Sequence, residues 1–316
     1  MSTVLTGSIA FDYLMNFAGR FKDHILPDQL DRLSLSFLVD DMVRHRGGIA
    51  ANIAYTLGLL GENPIVMAAV GKDFEEYRTW LEKHGVDTSA IVVVPDLFTA
   101  SFFVNSDVTN AQIASFYAGA MAESSRLHFR DLDTVPDIAV ISPNDPQAMV
   151  QYVAECIELK IPYLYDPSQQ IVRLDASQLL EGIQNAFALI ANDYEWGLIK
   201  EKTNLDFPQV NQWTSFTIIT LGEKGVDLYR EGEMVRIPAI PPNRLIDPTG
   251  AGDAFRGGFL KGHIHGLDLE ICCRMGALAA TYCLEAEGTQ GHSFDRKTFK
   301  VRYHKLFRNQ DGLDAL

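Results

Sequence analysis

Asp247-Pro248-Thr249-Gly250-Ala251-Gly252-Asp253 is the stretch on which the reading of this chain turns. Leu245 and Ile246 precede it, and Ala254-Phe255-Arg256-Gly257-Gly258-Phe259 follows, within a helix-like run from Ala251 to about Ile264. Pro248 and Gly250 suit a turn rather than the middle of an element. A helix that opens here leaves its first backbone N–H groups without intrahelical partners. Gly250 and Gly252 carry no Cβ, so an anion can approach those groups closely, and the helix dipole favours it there. Asp253 falls in the first turn. A carboxylate is a poor permanent neighbour for phosphate, but a sensible one for a hydroxyl that loses its proton while attacking phosphorus. The alternative is an acid that only stabilises its own helix start, and the spacing alone does not separate the two.

Working outward, the 316 residues are 47% hydrophobic and 22% charged, which suits a soluble globular chain of one large domain, or one domain plus an appendage. A net charge of −14 offers no general basic field for nucleic acid. Cys156, Cys272, Cys273 and Cys283 form no Cys-x-x-Cys pair and have no zinc-like His spacing, so reduced, packed thiols are expected. His263 and His265 likewise lack enough partners for a metal. The opening Met1-Ser2-Thr3-Val4-Leu5-Thr6-Gly7 lacks the basic and apolar regions of a signal peptide, and no apolar run is long enough to cross a bilayer. A cytoplasmic protein without membrane or nucleic-acid partners is the expectation.

Val4 to Ala10 reads as a buried first strand with Asp12 at its C-terminal end. Residues 13–46 show no clear helical period, and Leu33 to Val39 alternates like a half-exposed strand. Arg46-Gly47-Gly48-Ile49-Ala50-Ala51-Asn52 then leads into a helix of small residues, ending near Leu60. Pro64 to Val70 is strand-like and Phe74 to Lys83 helix-like. Thr99 to Val104 and Gln112 to Tyr117 flank a polar turn, as in a hairpin. Beyond Gly119 strands and helices alternate: strands at Ile138 to Ser142, Pro162 to Tyr165, Phe187 to Ala191 and Phe216 to Leu221, with helices from Pro146, Ser177 and Asp193 between them. Such alternation predicts an α/β fold with a mostly parallel sheet flanked by helices. Ligands collect at the C-terminal ends of such strands, where Asp12, Asn144, Asp166, Asn192 and Thr220 are expected. The predicted division is a large α/β domain of residues 1–12, 47–97 and 119–316, and a small β-sheet of residues 13–46 and 98–118.

Asp247 to Asp253 resembles the C-terminal signature of the ribokinase family of carbohydrate and nucleoside kinases, also called the PfkB family. The resemblance implies a ribokinase-like fold whose small sheet is a lid over the acceptor. It further implies Asp253 as the catalytic base, with Gly250, Ala251 and Gly252 as an anion hole for the transferring phosphoryl group. Many members have Thr where this chain has Pro248, a departure that touches none of these roles. Four further segments agree. Gly47-Gly48-x-x-x-Asn52 is similar to the family's N-terminal signature. Paired glycines let the backbone close on a sugar ring and the Asn amide can bond a hydroxyl. With Asp12 it would grip a ribose or hexose diol, though a tight turn and helix cap would read the same way. Asn192-x-x-Glu195 resembles the motif that orders magnesium and its waters, chemistry a carboxylate suits; an N-cap with a capping-box acid has the same pattern. Thr220-x-Gly222-Glu-Lys-Gly225 resembles the loop that binds ATP, with Asn192 nearby, and doubles as a hairpin turn. The loop from Ala286 to Ser293 resembles one beside the adenine, and leaves open a monovalent cation, K⁺ in some members, at Asp247 and Ser293. No Walker-type Gly-x-x-x-x-Gly-Lys-Ser/Thr loop occurs.

ATP and Mg²⁺ are therefore the expected cofactors, and the acceptor is a small molecule. Phe11, Met15, Phe17, Phe37, Phe102, Phe103, Phe116 and Met121 make the lid segments apolar, and a nucleobase wants an apolar slot that a free sugar does not. Gly7 to Asp12 and Phe21-x-x-His24-Ile25-Leu26-Pro27 resemble prokaryotic adenosine-kinase-like members. After Asp166-Pro167 many sugar kinases of the family continue with Asn and Arg, whereas this chain has Ser168-Gln169-Gln170. The expected reaction is phosphorylation of the 5′-hydroxyl of adenosine or a related purine nucleoside. A ribokinase- or fructokinase-like sugar kinase is the alternative; a non-catalytic sensor and a hydroxymethylpyrimidine-type kinase fit less well. Monomer and homodimer both remain open.

Overall fold

Apolar runs of four to seven residues build most of the larger of two sheets, in a computed structural model that describes residues 1–26, 31, 32, 34–307 and 313. Numbered in chain order, the strands are β1 (Thr3–Thr6), β2 (Ala10–Phe17), β3 (Val39–Gly47), β4 (Ile65–Gly71), β5 (Ile91–Val94), β6 (Ala100–Asp107), β7 (Gln112–Tyr117), β8 (Ile138–Ile141), β9 (Tyr163–Tyr165), β10 (Ala188–Asn192), β11 (Phe216–Thr220), β12 (Val226–Arg230) and β13 (Glu233–Ile237). Nine of them form one sheet in the order β13-β12-β11-β10-β9-β8-β1-β4-β5. Its pairs from β11 to β5 are parallel, and only the β11–β12 and β12–β13 pairs are antiparallel. The crossovers are the helices α1 (Ile49–Leu59), α2 (Glu75–Lys83), α3 (Pro146–Leu159), α4 (Ala176–Gln184), α5 (Asp193–Thr203) and α6 (Phe207–Trp213); α7 (Ala251–Ile264), α8 (Leu269–Leu284) and α9 (Arg296–Leu306) follow the last strand.

The period of two along each strand puts alternate residues into different cores. Leu5, Ile190 and Ile218 pack on one face with residues of α1, α2, α7 and α8. Val4, Leu189 and Ile219 pack on the other with α3 to α6. Helix α7 lies close to α1 because Gly257 faces it; a Cβ there would come within 2.6 Å of Thr56 Cβ. Asp145 caps α3, accepting from Ala148 N at 3.1 Å, with Pro146 at the first helical position. Cys272 and Cys273 are buried in the core as α8 residues, and Cys156 and Cys283 are buried too. Among the described residues no helix is long and apolar enough to cross a membrane.

The second sheet has four strands in the order β3-β2-β6-β7. Its strands take in residues 10–17, 39–47, 100–107 and 112–117. Two expectations are corrected here. The first strand ends at Thr6, and Asp12 lies not at its end but inside β2 of the second sheet. The apolar run from Val4 to Ala10 therefore conceals a break, at Gly7 to Ile9, where the chain passes from one sheet to the other. The alternating segment expected as a strand from Leu33 to Val39 is not one: residues 34–38 have no regular structure, the strand begins at Val39, and Leu33 lies outside the described residues. Alternation alone supplied that expectation, whereas backbone pairing with β2 begins only at Val39 opposite Phe17.

Register decides which residues of the second sheet share a face. Asp12 lies opposite His45 and Phe102, and Phe102 opposite Phe116. Leu14, Val43 and Val104 share that face by the alternation of the strands. Phe11, Tyr13, Met15 and Phe103 point the other way, where Tyr13 and Phe103 stack at 4.8 Å.

Candidate active site

The residues of the signature meet where the C-terminal ends of the parallel strands face the Asp12 side of the second sheet. Pro248 to Gly250 form the turn into α7, with Ala251 N donating to Pro248 O at 3.4 Å. Gly250 has φ 81°, and a Cβ there would lie 2.8 Å from Thr289 Cβ, so this position needs glycine for both conformation and space. Gly252 is exposed and Asp253 is half-buried in the first turn. The first N–H groups of α7 lack regular intrahelical partners, as at any helix start.

Asp253 is held from across the molecule. Asn52 Nδ2, on α1, donates to Asp253 Oδ2 at 2.8 Å. A carboxylate can only accept, so Asn52 must turn its NH₂ toward Asp253 and its carbonyl away. Gln290 meets that carbonyl: its Nε2 donates to Asn52 Oδ1 at 3.0 Å and also bonds Tyr77 Oη. Trp80 Nε1 donates to Gln290 Oε1 at 3.0 Å, and Tyr77 Oη donates to Gly47 O at 2.9 Å. Asn52, Tyr77 and Gln290 are all buried. Every end of this network is satisfied, which makes it a rigid mount for the Asp253 carboxylate. Burial pushes that carboxyl above the usual range, against the opposing pull of Arg256 and the Asn52 hydrogen bond. Asp12 responds in the same direction, with burial raising its pKa to about 6 and Asp253 and Asp247 adding to the rise.

Glu195 and Asn192 form a reciprocal capping box at the start of α5. Asn192 Oδ1 accepts from Glu195 N at 2.8 Å, and Glu195 Oε2 accepts from Asn192 N at 2.7 Å. Ser168 Oγ donates to Glu195 Oε1 at 2.9 Å. Thr220 ends β11, and Gly222 to Gly225 turn the chain into β12. Asp247 ties the α7 turn to the late loop, accepting from Thr249 N and Gly288 N, each at 2.9 Å. Ser293 is exposed, beyond buried His292. Among the described residues no group of three or more His, Cys, Asp or Glu could hold a metal ion.

Two partners in this site escaped the sequence reading. Gln290 sits in the late loop yet serves Asn52. Arg256, on α7, pairs with Asp166 at the end of β9: Nη2 donates to Oδ1 at 2.7 Å and Nε lies 2.5 Å from Oδ2. Asp166 was expected at a strand end, but no local signal in the sequence names Arg256 as its partner.

The model of the pfkB family carbohydrate kinases matches residues 7–295. A nucleoside kinase of Methanothermobacter thermautotrophicus is 31% identical over 293 residues, covering 90% of this chain and 89% of its own. The structure of a Burkholderia thailandensis nucleoside kinase in complex with inosine superposes with a TM-score of 0.86 at 34% identity, covering 97% of this chain and 98% of its own. The same Burkholderia protein in complex with ADP-inosine gives 0.84 at 36% identity, covering 97% and 96%. This chain belongs to the pfkB family of carbohydrate kinases.

Proposed function

We propose that the protein is an ATP-dependent nucleoside kinase acting on the 5′-hydroxyl of a purine nucleoside. The observation that carries the reading is the Asn52–Asp253 hydrogen bond at the first turn of α7, opposite the sheet face that bears Asp12. Asp12, with Gly47 and Gly48 beside it, would take the ribose diol, since a carboxylate can accept from two adjacent hydroxyls. That leaves the primary hydroxyl toward Asp253. Asp253 takes its proton as the oxygen attacks the γ-phosphorus; the bond to the bridging oxygen breaks and ADP leaves. The N–H groups around Gly250, Ala251 and Gly252 would receive the charge that builds on the phosphoryl oxygens.

Asn192, Thr220, Gly222 and Gly225 line the adjoining strand ends, where ATP's ribose and phosphates would lie. Mg²⁺, bound with ATP, would supply charge neutralisation there. The residues fit such an ion: Mg²⁺ keeps several waters and needs only one or two carboxylates, and Glu195 has both oxygens fixed by hydrogen bonds. Glu195→Gln should raise the Mg²⁺ concentration needed for half-maximal rate at saturating acceptor. An unchanged Mg²⁺ curve would leave Glu195 with its capping role alone. Asp247 and Ser293 would be the residues nearest a monovalent cation, and a K⁺ titration against Na⁺ tests for one.

The inosine complex of the Burkholderia relative favours a purine nucleoside over a free sugar. The test compares kcat/KM for adenosine, inosine, ribose and fructose with ATP and Mg²⁺. Stacking of a base on an aromatic ring is worth about 1–3 kcal/mol, so the best nucleoside should exceed ribose by about tenfold or more. Ribose or fructose matching every nucleoside would instead make this a sugar kinase.

A further inference from the structure

We propose that Arg256 is a catalytic residue, its Nη1 binding the phosphoryl group in transfer while Asp166 grips the other edge of the guanidinium; this rests on the kinase reading of the same site. Arg256 is only 6% exposed, and Asp166 is fully buried at 0%. A helical side chain leans toward the N-terminus of its helix and covers the preceding turn. Arg256 therefore lies over the turn that holds Gly252 and Asp253.

The pairing is one-sided. Nε and Nη2 form the edge that meets the two oxygens of Asp166. Nη1 is left on the opposite side, 3.0 Å from where a Cβ on Gly252 would stand. Gly252 is exposed and carries no side chain, so a ligand in front of it would meet Nη1. Among the described residues Nη1 makes no hydrogen bond. Were Arg256 present only to satisfy Asp166, two apolar residues of similar size would serve at least as well. A clamped guanidinium with its remaining N–H groups open to the anion site is what phosphoryl transfer uses. The arginine changes no bond in the reaction. It donates hydrogen bonds to equatorial oxygens whose negative charge grows as the phosphoryl group leaves ADP and has not yet joined the acceptor oxygen.

The pairing also shapes the test, because Arg256→Met alone strands a buried carboxylate and could unfold the protein. The double variant Asp166→Asn/Arg256→Met removes both charges and separates structure from chemistry. Folding is checked by circular dichroism and thermal melting. Turnover is measured with ATP, Mg²⁺ and inosine, and calorimetry compares ADP with ADP plus tetrafluoroaluminate, a planar mimic of the phosphoryl group in flight. We expect the double variant to fold, to keep its KM for inosine within about threefold, and to lose about 10²–10³-fold in kcat, the scale of losing one transition-state donor. It should bind ADP as wild type does and lose the extra affinity given by fluoroaluminate. Arg256→Lys should not restore the rate, since an ammonium cannot span Asp166 and the phosphoryl group together. A folded double variant that turns over within about threefold of wild type, or keeps the fluoroaluminate gain, would make Arg256 a structural partner of Asp166 and overturn the proposal. Wild-type protein inactive on every nucleoside and sugar would strike the kinase reading first, and this proposal with it.

Discussion

The two sheets meet at one cleft but are built on opposite terms. In β8, every residue is buried, and β10 is buried up to Asn192. In β7, at the edge of the second sheet, every residue is exposed, including Ile113, Phe116 and Tyr117. The large sheet is covered by helices on both faces, so groups mounted on its ends rest on a closely packed core. The small sheet has one face toward the cleft and a free edge. The difference assigns two kinds of work. On the proposed reading, the rigid side would hold Asp253, Arg256 and Glu195 for chemistry, and the thin side would offer Asp12, Phe102 and Phe116 to the acceptor.

Three changes would break or sharpen that contrast. The largest effect belongs to the rigid side. Asp253→Asn should fold and bind ATP but lose about 10²–10⁴-fold in kcat, the usual worth of a general base. Turnover within about threefold of wild type would remove Asp253 from that role, since it falls far below this range.

On the thin side the loss should be smaller and selective. Phe102→Ala should cut kcat/KM for nucleosides on the order of tenfold, as expected for one stacking surface, and leave that for ribose nearly unchanged. Equal losses on both acceptors would mean that the ring merely packs the lid.

The smallest effect is a change with pH. If Asp12 grips the ribose diol as proposed, it must be ionised to accept from two hydroxyls, and burial raises its pKa from an ordinary 3.8 to about 6. The KM for nucleoside should therefore rise several-fold as pH falls through about 6, and Asp12→Asn should show a weaker grip that no longer varies there. Stability runs in the opposite sense. A carboxyl whose folded pKa is raised favours the fold when protonated, and that contribution is lost as pH rises from 3.8 to about 6. Without ligand, Asp12→Asn should therefore melt higher than wild type at neutral pH and close to it in acid. A melting difference that does not vary with pH would refute this account of Asp12.

How much of this was legible depended on whether the signal was local. Helices α3 and α7 run over Pro146–Leu159 and Ala251–Ile264, as read from the sequence, because a proline at one start and a glycine turn at the other mark them within a few residues. The parallel sheet followed from alternation that any window reveals. Asp12 was misplaced because three residues suffice to carry the chain from one sheet to the next, too short a break to interrupt an apolar run. Gln290 and Asn52 are 238 positions apart, and Arg256 and Asp166 are 90 apart. No periodicity links such positions; only the closing of the fold brings their complementary donors and acceptors together. The aromatic lid residues show the same limit. Composition announced an apolar slot, but only strand register tells Phe102 and Phe116 from Phe11 and Phe103.

Every strand of both sheets ends by Ile237, whereas the helix bearing Asp253 begins at Ala251 and the glutamine that braces Asn52 comes later still. A ribosome delivers the chain from its N-terminus at about 5–20 residues per second. For several seconds of each synthesis, the growing polypeptide has a near-complete binding floor and no means of attacking phosphorus. One face of that floor still waits for α7 and α8, so the same interval exposes Leu5, Ile190 and Ile218 to the cell's chaperones and proteases. With Asp253 as the proposed proton acceptor, birth order would make it a seal on quality: a chain broken off early would be left sticky and inert, and could not become a loose kinase.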